Sequence, residues 1–376
     1  MRILTVSNVP LERTLGSGAV ILGYVDGLRA RGHEVRTLDP RDYEWGARLR
    51  GAKRLRMMLG YTRATLRAVR REDFDLVEMW GAESWWAAKR LARRVTRPLL
   101  VGRSNGLEVQ LDLVLERHGL RPKPNPAAAW LDRRFDREAA FREVDALTTV
   151  SEYNRVFAEA AGYQPKERLL MVENPLPDDW LGQPCDPERP HVLGFFGSWL
   201  PLKGRDLLIA ALPAVLRAQP GWTVRLVGVG ALEPAEVFPA DVAARIEVVP
   251  FERDRVRLRD LYRRTAILVL PSAYESFGMV AAEAMSCGCA VVASPVGFAA
   301  GLPPEREVEL VTARTPAAWA EALTALMNDE PRRQRLARAG HTRVQTLRWD
   351  AATDRLIGFY SGLSTNRASA DEKRST

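Results

Sequence analysis

Two glutamates, Glu275 and Glu283, stand eight positions apart in the run 274-YESFGMVAAEAMSCGCAVVAS-294, which carries no other charge. Carboxylates are seldom buried without a partner, so a pair of them in an apolar run calls for a ligand or a counter-charge. "AILVLPSAYE" reads as a buried strand ending at Pro271, followed by a loop that carries Glu275. "SFGMVAAEAM" reads as a helix beginning near Ser276. The first turn of such a helix leaves N–H groups unpaired at the positive end of its dipole, which suits a phosphate or sugar hydroxyls. Glu283 falls about 9 Å further along the axis. Helical side chains lean back toward the N-terminus, so its carboxylate is expected to face the same side as Glu275. One ionised carboxylate accepts from two vicinal hydroxyls at once. Two of them flanking an anion-binding helix end suit a ligand with hydroxyls at both ends and phosphate between, which describes a sugar nucleotide. The competing reading makes Glu275 a complement to the helix dipole and Glu283 the partner of a buried arginine.

The elements that would hold these groups are readable along the chain. "MRILTVSN" is a first buried strand, "VILGYVDGLRARGH" the helix after it and "EVRTLD" a second strand. Further strands are expected at 74–80, 98–103, 145–150 and 168–172, with helical stretches between most of them. Continuous apolar strands separated by helices imply a parallel sheet covered on both faces. Residues 173–190 hold five prolines and interrupt the pattern as a connection between domains. The alternation restarts with "HVLGFFG", "TVRLVG", "RIEVVP" and "AILVLP" as strands, and three helical stretches close the chain. The expected fold is α/β, two Rossmann-like doubly wound domains facing across a cleft, with a ligand at the strand C-terminal ends. The boundaries are 1–175, a Pro-rich linker at 176–190 and a second domain at 191–346. A helix at about 348–364 is expected to complete the first domain, before a disordered tail at 365–376.

The chain has 376 residues, which favours two domains over a single core. Its opening residues lack a signal-peptide pattern, and the apolar run from 276 reads as a buried helix and strand, so no membrane span is expected. Three cysteines cannot form a disulfide framework and suit a reducing cytosol. Cys287 and Cys289 read as small buried residues, and no metal site is expected. The net charge is +8, and ten basic residues against two acidic ones fall within 41–71, so the rest of the chain is balanced. A basic patch confined to one helix suggests a local anionic contact and no nucleic acid. Only six of the 55 basic residues are lysine, and Lys203 is the sole one between Lys166 and the tail.

At this point a resemblance becomes specific. "YESFGMVAAEAMSCGCAVVAS" looks like the Glu-x7-Glu signature of the retaining family-4 (group 1) glycosyltransferases of the GT-B fold. "FFGSWLPLKG" (195–204), "VGVG" (227–230), "VSEYNR" (150–155), "VENP" (172–175) and "LRWD" (347–350) are similar to further family elements and fall in the family's order. The resemblance implies that Lys203 holds the donor diphosphate and Glu283 the nucleotide ribose. Glu275, with the N–H groups of Phe277 and Gly278 and with Met279 beside them, would hold the transferred sugar. Gly16 and Gly18 would let the first loop approach phosphate or acceptor. Two departures stand out. Ser198 occupies a position where the family usually has arginine, so one diphosphate contact is missing or comes from Arg205 or Arg103. Asn105 replaces a histidine near the reacting sugar, and asparagine can donate a hydrogen bond but cannot titrate near neutral pH.

The implied reaction is front-face, metal-independent transfer with retention, the leaving phosphate helping to accept the acceptor's proton. The catalytic residues would be Glu275, Lys203 and Asn105. No cofactor is implied beyond a nucleotide-diphosphate sugar, with UDP or GDP as nucleotide, and the acceptor would be a glycan, a lipid-linked sugar or a small molecule. Residues 48–71 place Leu49, Ala52, Leu55, Leu59, Thr62, Leu66 and Val69 at helical spacing, with arginines on most other faces. That helix is either a solvated surface or a docking face for an anionic membrane. Trp80 and Trp85, with Trp86, follow a strand and could stack on an acceptor sugar. Competing readings are a nucleotide-sugar-binding protein without transferase activity, motivated by Ser198 and Asn105, and a sugar-nucleotide epimerase. An NAD-dependent oxidoreductase is opposed by the absence of G-x-G-x-x-G after the first strand. Arginine dominance suggests a GC-rich bacterial genome, and the family's association is with polysaccharide, lipopolysaccharide or glycolipid assembly in the cytoplasm, peripheral to the inner membrane face.

Overall fold

The continuous apolar runs form strands buried on both faces, as the parallel arrangement requires. The structure is a computed structural model describing residues 1–13, 16–44, 53–121, 135–186 and 188–375, with side chains through Arg367. The chain divides into two units, Met1–Leu113 with Arg121–Pro175 and Trp349–Thr376, and Val114–Leu120 with Leu176–Arg348. The first carries a sheet of order β2-β1-β3-β4-β5-β6, with β1 at Arg2–Val6, β2 at Glu34–Leu38, β3 at Leu76–Trp80, β4 at Leu99–Arg103, β5 at Ala146–Thr149 and β6 at Leu169–Met171. The second is ordered β12-β11-β10-β7-β8-β9, with β7 at Val192–Phe196, β8 at Thr223–Val227, β9 at Ile246–Val249, β10 at Ile267–Leu270, β11 at Ala290–Ala293 and β12 at Glu309–Leu310. Every ladder among the described residues is parallel. Each strand read from the sequence is present. Only β12 was missed, because two residues carry no pattern.

In the first unit the period-two alternation of the strands separates two helical layers. Ile3, Leu76, Trp80, Leu99 and Val101 pack toward helix α1 (Gly16–Ala30) and a C-terminal helix that supplies Leu356 and Tyr360. Leu4, Val6, Val77, Met79 and Leu100 pack toward α2 (Lys53–Arg71) and α3 (Trp85–Ala92). Helices α4 (Glu108–Arg117) and α5 (Glu152–Ala160) follow β4 and β5. A buried cluster of the second unit, among the described residues, gathers around Leu193, Phe195, Leu212, Leu226, Val269 and Trp319. Its helices are α6 (Arg205–Ala218), α7 (Arg255–Arg263), α8 (Met279–Ser286), α9 (Pro316–Asn328) and α10 (Glu330–Val344).

The C-terminal helix, α11, spans Trp349–Ser375 and belongs to the first unit. It lies so close to α1 that a Cβ on Gly23 would sit 2.1 Å from the Trp349 ring, and one on Gly27 2.5 Å from Thr353 Oγ1. Residues 365–375, read from sequence as a disordered tail, continue this helix. A buried polar knot ties α11 to the sheet. Arg103 Nη1 donates to Glu78 Oε1 at 2.7 Å, Thr5 Oγ1 donates to Glu78 Oε2 at 2.6 Å, and the Tyr360 hydroxyl also donates to Glu78. The Arg103 guanidinium lies 4.3 Å from the ring centres of both Tyr24 and Trp80. The expected linker is not bare chain. It contains a 3-10 turn at Asp178–Trp180, and Trp180 is buried edge-on against Tyr262, 5.7 Å between ring centres.

The basic helix differs from its sequence reading in one respect. Its core face is Met57, Met58, Tyr61, Thr65 and Ala68, while Leu55, Leu59 and Leu66 are only half-buried. Residues 48–52 of that reading lie outside the described residues. No helix among the described residues is long and apolar enough to cross a membrane.

Candidate functional site

In the second unit, two loops at strand C-terminal ends are stitched together. The chain leaves β7 through Gly197 and Ser198, makes a 3-10 turn at Pro201–Lys203 and enters α6. The loop after β10 runs alongside, with Ala273 N donating to Leu202 O at 2.8 Å. This pairing delivers Lys203 to Glu275. Nζ lies 2.7 Å from Glu275 Oε1, and Ser272 Oγ donates to the same oxygen at 2.7 Å. Glu275 is 9% exposed while the Lys203 side chain keeps 30%, so the ammonium is held in place yet open to an anion. Two residues singled out separately by sequence therefore form one ion pair.

Helix α8 starts at Met279, three residues later than the sequence suggested, because Gly278 adopts φ +87° and breaks the helical run. That left-handed conformation strains any side-chain-bearing residue. No side chain caps this end. The Glu275 loop leads directly into this first turn, where Ala281 N donates to Gly278 O at 2.9 Å and the N–H groups before it lie at the end an α-helix leaves without internal partners. Phe277 O is fixed by a hydrogen bond from Phe298 N at 2.6 Å, and the two rings pack 5.0 Å apart.

Glu283 projects from α8 and accepts from the Tyr262 hydroxyl at 3.1 Å. The Tyr262 ring is stacked on Phe196 at 3.9 Å between centres. Burial pushes the Glu283 carboxyl up to about 7, against the lowering influence of the Tyr262 hydroxyl and of Arg255. Among the described residues its hydrogen-bond partner is a tyrosine, and the alternative of a buried arginine partner does not hold. Tyr262 could not be found from sequence, since it sits on another helix 21 residues away. Ser198 is exposed beside the lysine loop, and Arg205 Nε bonds Asp206 at 2.8 Å.

In the first unit, the start of α1 and the loop after β4 come together. Gly18 is buried where a Cβ would lie 2.5 Å from Pro10 O, whereas a Cβ on Gly16 would meet open space. Asn105 Nδ2 reaches Ser17 O at 3.4 Å, and its Oδ1 is buried with no partner. Two sequence suggestions fail here. Arg103 cannot supply a diphosphate contact, because its buried guanidinium is committed to Glu78 and to two aromatic faces. Trp80 is 2% exposed in the core beneath that guanidinium, so it offers no face to an acceptor. Trp85 remains half-buried and lines a cavity of about 140 Å³ together with Glu83, Glu108 and Asp112. Glu108 Oε1 accepts from Ala82 N at 3.2 Å, and burial beside Glu83 raises its carboxyl to about 7. Glu108 stands three positions beyond Asn105, but only the fold brings it against Glu83. Among the described residues no group of three His, Cys, Asp or Glu side chains could hold a metal ion.

Paired parallel α/β units with loops of this kind define the class of doubly wound, nucleotide-binding folds. The sequence profile of the 4-like glycosyl transferase domain matches residues 16–175, and that of the group 1 glycosyl transferases matches 190–329. The chain belongs to the family-4, group 1 glycosyltransferases of the GT-B fold. It is similar to D-inositol 3-phosphate glycosyltransferase of Segniliparus rotundus, 34% identical over 187 residues that cover 46% of this chain and 40% of that protein. The chain thus spans half the length or less of the curated relatives it matches. Sucrose-phosphate synthase of Thermosynechococcus elongatus has the same fold, with a TM-score of 0.74 at 19% identity over 97% of this chain and 100% of that one. So does Anabaena HepE in complex with UDP, with a TM-score of 0.66 at 17% identity over 96% and 100% of the two chains.

Proposed function

We propose that the chain moves a sugar, with retention and without a metal ion, from a nucleotide-diphosphate sugar to a hydroxyl acceptor. The second unit would bind the donor and the first the acceptor. The observation that carries this reading is the Lys203–Glu275–Ser272 group at the uncapped start of α8, on the helix that also carries Glu283. Lys203 and the first-turn N–H groups of α8 would take the donor diphosphate, supplying positive charge where the leaving group develops negative charge. Glu275 exchanges its ammonium partner for sugar hydroxyls as the phosphate claims Lys203. Glu283 accepts from the ribose hydroxyls. The bond from the anomeric carbon to the β-phosphate oxygen breaks and a bond to the acceptor oxygen forms on the same face. The acceptor's proton passes to the departing phosphate. Asn105, with its unpartnered Oδ1, would orient a hydroxyl of the transferred sugar or of the acceptor.

UDP bound to Anabaena HepE supports a uridine or similar nucleotide. The name D-inositol 3-phosphate glycosyltransferase, carried by relatives, supports a polyol acceptor. A glycan or lipid-borne acceptor would place the reaction at the cytoplasmic face of a membrane, with the arginine-rich α2 as the contact. The test is calorimetric titration with UDP, GDP, ADP, dTDP and CMP, followed by NMR of the anomeric coupling in the product. Selective binding of one diphosphate and an anomeric configuration equal to the donor's is the expected result. Binding of none, or an inverted product, would overturn the reading.

A further inference from the structure

Between α2 and α3 the first unit has a groove of about 470 Å³ whose walls do not belong to the sugar-nucleotide site. Its rim is formed by Arg63, Arg67, Arg70 and Arg71 of α2 and by Arg90 of α3. All five are exposed, and none has a carboxylate partner among the described residues. Many other arginines of the chain are committed to carboxylates: Arg31, Arg97, Arg137, Arg155 and Arg217, for example, each hold an acidic side chain. The floor is apolar, from Leu59, Leu66 and Trp86, each half-buried. The Arg90 guanidinium lies 5.5 Å from the Trp86 ring centre. Thr62 also lines the groove. It is 6% exposed, and its hydroxyl is buried without a hydrogen-bond partner.

An unpartnered buried hydroxyl and five unpaired guanidinium groups over an apolar floor make a combined demand. The ligand must be anionic, must offer acceptor oxygens and must cover hydrocarbon. Guanidinium groups match phosphate oxygens in a two-pronged geometry. Arginine stems and a tryptophan suit the boundary between headgroups and acyl chains. A nucleic-acid backbone would satisfy the arginines but leave the leucine floor wet. The half-buried leucines that escaped the core face of α2 thus acquire a role.

We propose that this groove is a docking site for the phosphate headgroup and upper acyl chain of an anionic phospholipid, which anchors the first unit to a membrane surface. It deepens the membrane contact proposed above and does not depend on sugar transfer.

The test is flotation of the full chain with phosphatidylcholine vesicles, with and without phosphatidylglycerol. Three variants are compared with the wild type: Arg67→Ser/Arg70→Ser, the uncharged and nearly isosteric Thr62→Val, and a control, Arg335→Ser/Arg338→Ser, that removes two exposed arginines of the second unit. Thermal melts establish that each is folded. The wild type should float only with phosphatidylglycerol. The groove pair should weaken partitioning roughly 10- to 30-fold. Thr62→Val should weaken it several-fold, and the control should match the wild type. Equal losses in the groove pair and the control, with no effect of Thr62→Val, would overturn the groove and leave only diffuse charge attraction. A wild type that does not float would overturn the membrane contact as well, while leaving nucleotide binding untouched. A soluble short-chain phosphatidylglycerol should bind more tightly than glycerophosphate or inorganic phosphate. Equal affinity for all three would assign the groove to a free anion and refute the lipid.

Discussion

Replacing Glu283 by glutamine isolates what it costs to keep that carboxyl where ribose binding would need it. Its folded value is pushed up to about 7 by burial, against about 4.3 for an unperturbed glutamate. Below about pH 4 both states hold the proton and the group is neutral to stability. As pH rises, the unfolded chain releases its proton first, so stability falls through the interval and the loss is complete above about pH 7. A shift of nearly three units corresponds to at most about 3–4 kcal/mol. The side chain is partly open to solvent, and about 2 kcal/mol is the working figure. Glutamine keeps the bond from Tyr262 and carries no charge to desolvate. Glu283→Gln should therefore raise the melting temperature by about 4–8 °C at pH 8, with almost no gain at about pH 4. Scanning calorimetry at the two pH values reads this directly. A gain of the same size at both, or a loss at pH 8, would refute the argument, because the ionised carboxylate would then be a stabilising partner. Under the proposed function the same variant should lose nucleotide affinity, so stability and binding would move in opposite directions.

Three further outcomes are expected. Nucleotide-diphosphate affinity should rise between about pH 6 and 8 with release of a proton, as ribose hydroxyls select the ionised Glu283. Calorimetry in buffers of different ionisation enthalpy measures it, and a flat profile counts against ribose on Glu283. Lys203→Ala should weaken diphosphate binding by about 1.5–3 kcal/mol and change folding stability by less than about 1 kcal/mol. Unchanged affinity removes Lys203 from the site. Arg103→Met strands the buried Glu78 and should cost about 3–5 kcal/mol in urea unfolding, most of it recovered in Glu78→Leu/Arg103→Met. A double variant as unstable as the single one would mean that the knot contributes beyond neutralising its own charges.

Sequence revealed most where one physical pattern had a single interpretation. Strands such as "ILVL" and "AVVA" are apolar throughout because both their faces are covered, and their shortness between turn residues separates them from a buried helix. The Glu-x7-Glu spacing was equally plain, but the later start of α8 was not, since the conformation of Gly278 depends on the packed loops around it. Arg103 and Trp80 were misjudged because a polar or aromatic residue at a strand end looks the same whether it faces a ligand or a buried counter-charge. Helix α2 offered two overlapping apolar stripes, and only the sheet beneath it selected Met57, Tyr61 and Thr65 for the interior. The link between Tyr262 and Glu283 had no signal, for it joins residues on separate helices.

The return of α11 to the first unit carries a consequence for biosynthesis. A ribosome delivers β1 through β6 early, yet the layer that Leu356 and Tyr360 complete, and the hydroxyl that meets Glu78, emerge only after every strand of the second unit has been made. Until then the Gly23–Gly27 face of α1 and the Arg103–Glu78 pair stand without their cover. The nascent first unit is thus a half-closed intermediate that exposes apolar surface while the second unit folds, and it is the stage at which a chaperone would be needed. A deletion that stops short of Trp349 would leave the chain at that stage, with its second core complete and its first unfinished.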